Sequence, residues 1–372
     1  METLQLMKHQ LGLGAITTLS RALSATIDGF NDKQFISDAS DSIEGLELKQ
    51  RVEHLIVVLH EHLPINFIDA ADVLMKIAQQ WHKDKHESSW GAFTAWPLVD
   101  YVAIYGLNKP ELAFKVLRDL TPLFSAEFAI RPFIEQHFEL THQVLLVWCL
   151  DDDEHVRRLA TEGIRPRLPW AKQLPQFFAD PNPIFAILEL LKNDSSLYVR
   201  KSVANNLNDI TKDNPDLVIE VCRQWMNDAS VETQWIIRHG LRSLIKQGRP
   251  EVFPLLGYSE QVQVSLNDLK LDRSKINLGE EVTVSIELES NSKVKQKLVV
   301  DYKIHHQKAN GQKTAKVFKW KNITLAKNES IFLTKKHPFK QITTRRYYSG
   351  EHAIELLVNG KSMGLISFEL VI

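Results

Sequence analysis

The sequence predicts a mainly α chain in which a HEAT-like α-solenoid is followed by a C-terminal immunoglobulin-like β-sandwich. Two observations carry this reading. Between Asp151 and Gly240 one helical pattern recurs three times. From about Glu260 the apolar spacing changes from helical periodicity to strict alternation. The domains are accordingly placed at 1–257 and 258–372.

From Met1 to about Phe124, the stretches LKQRVEHLIVVLHEHL, DAADVLMKIAQQW, WPLVDYVAIYGL and PELAFKVLRDL each repeat apolar residues at three and four spacing, the pattern of amphipathic helices. Pro110 opens the last of these behind Asn108 as a cap. Trp81, Trp90 and Trp96 read as packing residues of this scaffold. SAEFAIRPFIEQHFELTHQVLLVWCL continues the helical pattern into the three copies.

The copies are DDDEHVRRLATEGIRPRLPW, NDSSLYVRKSVANNLNDI and NDASVETQWIIRHGLRSLI. Aligning Val156, Val199 and Thr233 gives steps of about 43 and 34 residues, the range of two-helix solenoid repeats. Two positions on come Arg158, Lys201 and Trp235. One helical turn further come Glu162, Asn205 and His239, and Asp209 continues the stripe. Taken alone, Arg158 and Glu162 are an ordinary i, i+4 ion pair of a solvated face. Gly163 and IRPRLPW then follow, where two prolines end the helix and leave two arginines and a Trp on an extended segment.

After Glu260 come VQVSLNDLKL, EVTVSIELES, KLVVDYKIHH, AKVFKWKNITL, SIFLTKKHPF, HAIELLVNG and SMGLISFELVI, separated by turn residues. Seven such runs over about 110 residues indicate an antiparallel sandwich of immunoglobulin type. It lacks the paired cysteines of antibody domains. This part carries about 19 Lys and Arg against 12 Asp and Glu, so the helical part is net acidic although the whole chain is near neutral. Its lysine-rich runs KVKQK, HHQKANGQKTAK and LTKKHPFK, and the following TTRRYYSG, read either as edge protection or as a phosphate-contacting surface.

Composition removes other classes. There is no apolar run able to span a bilayer and no signal-peptide layout, so the expectation is a cytoplasmic protein without membrane association. Cys149 and Cys222 sit in apolar helical contexts and read as buried thiols. Of the 14 histidines only His54, His60 and His62 cluster, without matching ligand spacing, and no metal is expected. No phosphate loop, dinucleotide fingerprint, nucleophile elbow or metalloprotease helix is present, and no cofactor is expected.

The runs SAEFAIRPFI, HVRRLATEGIRPRLPWA and VRKSVANNLNDITKDNPD closely resemble the AlkC branch of the AlkC/AlkD alkylpurine DNA glycosylases, which are HEAT-like repeat proteins. The resemblance covers essentially the whole helical part. EGIRPRLPW and NNLNDI carry it more specifically than periodicity does, and some members add a C-terminal immunoglobulin-like domain. It implies excision of cationic N3-alkylated bases from duplex DNA by a monomer: 3-methyladenine, with 3-methylcytosine or 1-methyladenine as further substrates. It also implies action without a deep base-flipping pocket. A cationic base needs no general acid to leave, so the remaining work is to stabilise an oxocarbenium-like sugar and align a water, which suits carboxylates.

Glu127, Glu162 and Asp209 match the family positions for this role. Trp170 matches an aromatic position near the lesion, where an indole face suits a cation, and Phe128 is a second candidate there. Arg158, Arg165, Arg167, Arg200, Lys201 and Arg238 are the expected phosphate contacts along a concave groove. A second reading stands beside this one: HEAT-like arrays and immunoglobulin-like modules are common interaction scaffolds, so the chain would be a non-catalytic scaffold or DNA-structure binder.

Overall fold

A computed structural model describes residues 7–81 and 91–372; Trp90 lies outside them. Two compact units divide the chain. One holds residues up to Asn214 together with Ser230–Ile236, and the other holds Pro215–Ala229 with Ile237–Ile372.

The first unit is helical. Its elements are α1 (Leu13–Ser24), α2 (Asp32–Ser40), α3 (Leu48–His62), α4 (Phe67–Trp81), α5 (Trp96–Tyr105), α6 (Pro110–Leu120), α7 (Arg131–Gln136), α8 (Phe138–Trp148), α9 (Glu154–Glu162), α10 (Gln176–Ala179), α11 (Asn182–Leu191) and α12 (Leu197–Ile210). α13 (Pro215–Met226) follows, then α14 (Val231–Gly240), α15 (Arg242–Gln247) and α16 (Val252–Leu255). Among the described residues no helix is long and apolar enough to cross a membrane.

The repeat alignment corresponds to a physical repeat. Three positions before Val156, Val199 and Thr233 stand Asp153, Ser196 and Ser230. Their side chains accept from the backbone N–H of His155 (2.7 Å), Tyr198 (3.2 Å) and Thr233 (3.1 Å), respectively. Each satisfies a donor that a helix start leaves without an intrahelical partner. Immediately after the register residue, Arg157 donates to the carbonyls of Asp151 and Asp152, and Arg200 to those of Asp194 and Ser195. One position thus seals the loop in front of its own helix in two successive repeats. α9 and α12 pack side by side, and the buried Asn206 amide donates to the Thr161 carbonyl at 2.9 Å.

Cys149 and Cys222 are free and buried, and burial pushes both thiols up to about 12. The three clustered histidines serve different contacts: His54 on the Ala39 carbonyl, His60 stacked on Tyr105, and His62 paired with Asp38.

The second unit contains the sandwich, built from β1 (Val264–Leu271), β2 (Lys275–Asn277), β3 (Glu281–Ser290), β4 (Gln296–Gln307), β5 (Lys313–Leu325), β6 (Ser330–Pro338), β7 (Gly350–Val358) and β8 (Lys361–Val371). One sheet has the order β1-β3-β6 and the other β2-β8-β7-β4-β5. The alternation read in EVTVSIELES is observed directly, with Val282, Val284, Ile286 and Leu288 inward on β3. They meet Val300, Tyr302, Ile304, Ile354 and Phe368 of the facing sheet. Many of the lysines lie on the edge strands β5 and β6.

In this unit, Gly248 after α15 and Gly360 in the β7–β8 turn touch backbone to backbone. Both have positive φ, and a Cβ on Gly248 would stand 2.8 Å from the Gly360 carbonyl oxygen.

The sandwich interior also encloses three histidines. Burial, reinforced by the nearby Arg345 cation, depresses His306 to about 3 and His337 to about 4; His352 is also lowered, first by burial. All three stay neutral in the fold, whereas the unfolded chain protonates them near 6.5. The stability they permit is therefore complete above about pH 6.5 and is lost as pH falls from there toward the folded values. Denaturant unfolding of His306→Gln between pH 7.5 and 4.5 is expected to show a shallower acid slope than wild type, by about 1 kcal/mol per pH unit at most. Asp301, raised to about 6 by burial, acts with opposite sign but is common to both proteins, so it drops out of the difference.

Candidate active site

Glu127 lies in the turn before α7, Glu162 ends α9, and Asp209 is near the end of α12. These three segments are far apart in sequence, and the helical array brings their carboxylates into one chain of ion pairs. Arg158 Nη1 donates to Glu127 Oε2 at 2.6 Å, and its Nη2 stands 3.4 Å from Glu162 Oε1. Arg165 Nη1 donates to the same Glu162 oxygen at 2.6 Å, while its Nε and Nη2 both reach Asp209 Oδ2 at 2.9 Å. Lys212 closes the series on Asp209 Oδ1 at 3.2 Å. Negative and positive groups alternate along the whole line, so every carboxylate has a guanidinium beside it.

Neutral groups add to these contacts. Ser202 donates to Glu162 Oε2 at 2.5 Å, and Ser125 to Glu127 Oε2 at 2.9 Å. Tyr198 lies over Arg158, 4.6 Å from ring centroid to Cζ. Burial works against the Arg158 charge, but Glu162 and then Glu127 outweigh it and hold the guanidinium above its ordinary value.

The segment after Glu162 is clamped from α7. Arg131 is buried and donates to the carbonyls of Gly163 (2.8 Å), Arg165 (2.9 Å) and Lys172 (3.0 Å). Burial lowers its pKa to about 10, which leaves it charged at neutral pH. Within this clamped loop Trp170 adopts φ +67°, a left-handed backbone that a bulky side chain rarely takes. Its carbonyl accepts from Lys49 Nζ at 3.0 Å, and its side chain is 61% exposed. The backbone strain is held in place from two sides, and the effect is to present an indole to solvent.

Glu127, Glu162, Arg165, Phe128 and Trp170 line one cleft of about 280 Å³. Asp209 stands behind Arg165, with only 4% of its side chain exposed. Phe93, Trp96 and Phe124 complete the cleft wall, with Trp96 stacked on Phe124 at 5.1 Å and tilted against Phe128 at 5.9 Å. Trp96 read in sequence as packing, and it is buried; it is also part of the cleft. Phe93 and Phe124 carried no sequence signal, since an isolated Phe at a helix boundary is usually core.

The cations expected on phosphate fall in several environments. Arg158 and Arg165 are engaged by the carboxylates. Arg167 pairs with Asp213 through two nitrogens and lies over Phe178. Arg200 seals its loop as described above. Lys201 is exposed and has no ion-pair partner among the described residues. Arg238 belongs to the second unit, where it donates to the Tyr258 hydroxyl at 2.8 Å.

Comparison with known proteins bears on this cleft directly. Residues 124–244, which contain every residue of the ion-pair chain, match the family described as DNA alkylation repair enzyme. Residues 265–372 match the C-terminal Ig-like domain of the family described as uncharacterised protein YhaZ. Over 356 residues the chain is 36% identical to YhaZ of Bacillus subtilis (strain 168), spanning 95% of this chain and 96% of that one. Its structure matches that of the Pseudomonas fluorescens alkylpurine DNA glycosylase AlkC bound to DNA containing an abasic site analog. The TM-score is 0.90 and the identity 38%, over 99% of this chain and 100% of the other. The chain belongs to the AlkC branch of the alkylpurine DNA glycosylases. The AlkC-type architecture, a helical array with a C-terminal Ig-like domain, is therefore shared along the whole chain.

Two substitutions test the construction of this AlkC-type site. A Cβ on Gly163 would collide with the Ile130 side chain and stand 3.1 Å from the Leu159 carbonyl oxygen, so Gly163→Ala is expected to destabilise the chain by about 1–3 kcal/mol in denaturant unfolding. Arg165→Met leaves Glu162 and Asp209 buried with less compensating charge, and is expected to cost about 3–5 kcal/mol by the same measurement.

Proposed function

We propose that this protein is a DNA glycosylase that removes cationic alkylated bases from duplex DNA, with the N3-alkylated 3-methyladenine as the principal substrate and 3-methylcytosine and 1-methyladenine as lesser ones. The observation that carries the reading is the convergence of Glu127 and Glu162 with the exposed Trp170 indole on one cleft. The match to a DNA-bound alkylpurine glycosylase over essentially the whole chain supports it. Duplex DNA is accordingly the partner, and the chain acts as a monomer.

An N3-alkyladenine already carries the positive charge that makes it a leaving group, so the cleft needs no acid to protonate it. As the glycosidic bond lengthens, positive charge passes to the sugar. Glu127 and Glu162 then face a cation that the ground state lacked, and one of them orients the attacking water. The Trp170 face adds attraction for the same charge, worth about 0.5–2 kcal/mol. Arg158 and Arg165 hold the carboxylates aimed. Asp209 balances Arg165 and so acts on Glu162 through it. An open cleft of this size engages a distorted duplex without swallowing the base. Selectivity then follows from the lability and charge of the lesion. Lys201 and, at a more modest level, Arg167 are the remaining phosphate contacts of the helical unit.

The test is release of free base from methylated duplex by purified protein, with 3-methyladenine and 7-methylguanine quantified. Wild type is expected to release 3-methyladenine selectively. Glu162→Gln and Glu127→Gln are expected to fold and bind duplex while losing about a hundredfold or more in excision rate. Excision by Glu162→Gln at the wild-type rate would remove the carboxylate mechanism. No release of either base by a folded, DNA-binding wild type would favour the scaffold reading instead.

A further inference from the structure

Beside the cleft lies a second and larger cavity, of about 360 Å³, bounded by α3, α5, α7 and the Trp170 segment. Trp96, Phe128 and Trp170 line both spaces, so three aromatic side chains form the partition between them. Away from the partition the walls are mostly apolar, with Ile56, Ala103 and Ile104 among them. Of the three carboxyl groups in this lining, Glu53 and Glu135 are exposed, and Asp100 of α5 is the most sheltered one. Its Oδ2 accepts from Trp96 Nε1 at 2.7 Å, and its Oδ1 is buried with no hydrogen-bonding partner among the described residues.

We propose that this cavity binds the free alkylated purine base after excision. The inference rests on the glycosylase reading of the adjoining cleft. The chemistry of the lining selects the ligand. Aromatic faces with an apolar surround and one buried, unpartnered carboxyl oxygen suit a flat heteroaromatic ring carrying N–H donors. A nucleotide is disfavoured, because the two lysines at the rim are already engaged. Lys49 donates to the Trp170 carbonyl, and Lys172 pairs with Glu135 at 2.7 Å. Glu53, exposed at the same rim, adds negative charge that opposes a phosphate but not the excised base, which is left neutral when the positive charge passes to the sugar. Burial raises the Asp100 carboxyl to about 6, so near neutral pH it is available both as acceptor and, in its protonated fraction, as donor to a ring nitrogen. Since the partition is shared, a base freed in the cleft has an aromatic surface to follow into the cavity. The position it leaves is then open to water.

The probe is free 3-methyladenine, titrated calorimetrically into the full chain without DNA, and added in parallel to excision reactions. Wild type is expected to bind the base and to be inhibited by it. Ala103→Phe fills the cavity from a position outside the cleft. It is expected to weaken base binding by about tenfold or more and to relieve the inhibition, with the initial excision rate unchanged. Asp100→Asn keeps the side-chain shape and is expected to weaken base binding comparably, which preserves the test if Ala103→Phe fails to fold.

An excising wild type that does not bind free base would overturn the proposal, and so would two folded variants that bind it as wild type does. Weakened duplex binding with unchanged free-base binding in the variants would instead assign the cavity to an unpaired base of the DNA, also overturning it. A wild type that excises nothing would defeat the glycosylase reading alone, because the titration is read separately.

Discussion

A carboxylate buried in its charged form calls for a cation beside it, and the helical array sets one against the buried Glu162 and Asp209 and against the half-buried Glu127. Glu127, Glu162 and Asp209 are contributed by three different helical segments, and Arg158 and Arg165 each bridge two of them. Each guanidinium is thus both a charge partner and a spacer. Because such a fork offers donors in fixed directions, it sets the orientation of the carboxylates it joins. The packing of α9 against α12 and the clamp on the loop after Glu162 are consistent with this one demand. If either shifted, a buried carboxylate would be left without its counter-charge.

The aromatic cleft extends the same logic outward. Trp170 is displayed to solvent by a backbone conformation that its own side chain disfavours, and Arg131 and Lys49 hold the loop that imposes it. Arg165, Leu168, Pro169 and Trp170 therefore reach the cleft from one short, tightly tethered segment, Gly163 to Lys172. Such rigidity has a plain benefit where charge develops during reaction, since groups already in place need not reorganise.

Much of the architecture could be read from sequence, for identifiable reasons. The repeat spacing was visible because an apolar stripe and the polar stripe beside it recur in register at Val156, Val199 and Thr233, and the sandwich because its strands alternate cleanly. The carboxylates stood out through the stripe and through EGIRPRLPW and NNLNDI. What could not be read was which charges meet. The spacing of Arg158 and Glu162 declares that pair, but Glu127 comes from an irregular turn about 30 residues earlier, and nothing local links it to Arg158. For the same reason Arg165 looked like a candidate for phosphate when its place is between two carboxylates. Phe93, Trp96 and Phe124 escaped notice as cleft residues because a buried ring and a ring lining a cleft look identical in a one-dimensional pattern.

The backbone contact between Gly248 and Gly360 has a bearing on how the C-terminal module is handled. Neither position accommodates a side chain without displacing the other strand of the contact, so the β7–β8 turn is shaped to the end of α15. The Asn359 amide adds to this, reaching the Ser259 carbonyl at 2.9 Å. A sandwich transplanted into a chimaera, or exchanged with that of a relative, would need to carry the short helices around Gly248 as part of its own cargo. Cut at the first strand, it would expose a groove fitted to a segment left behind.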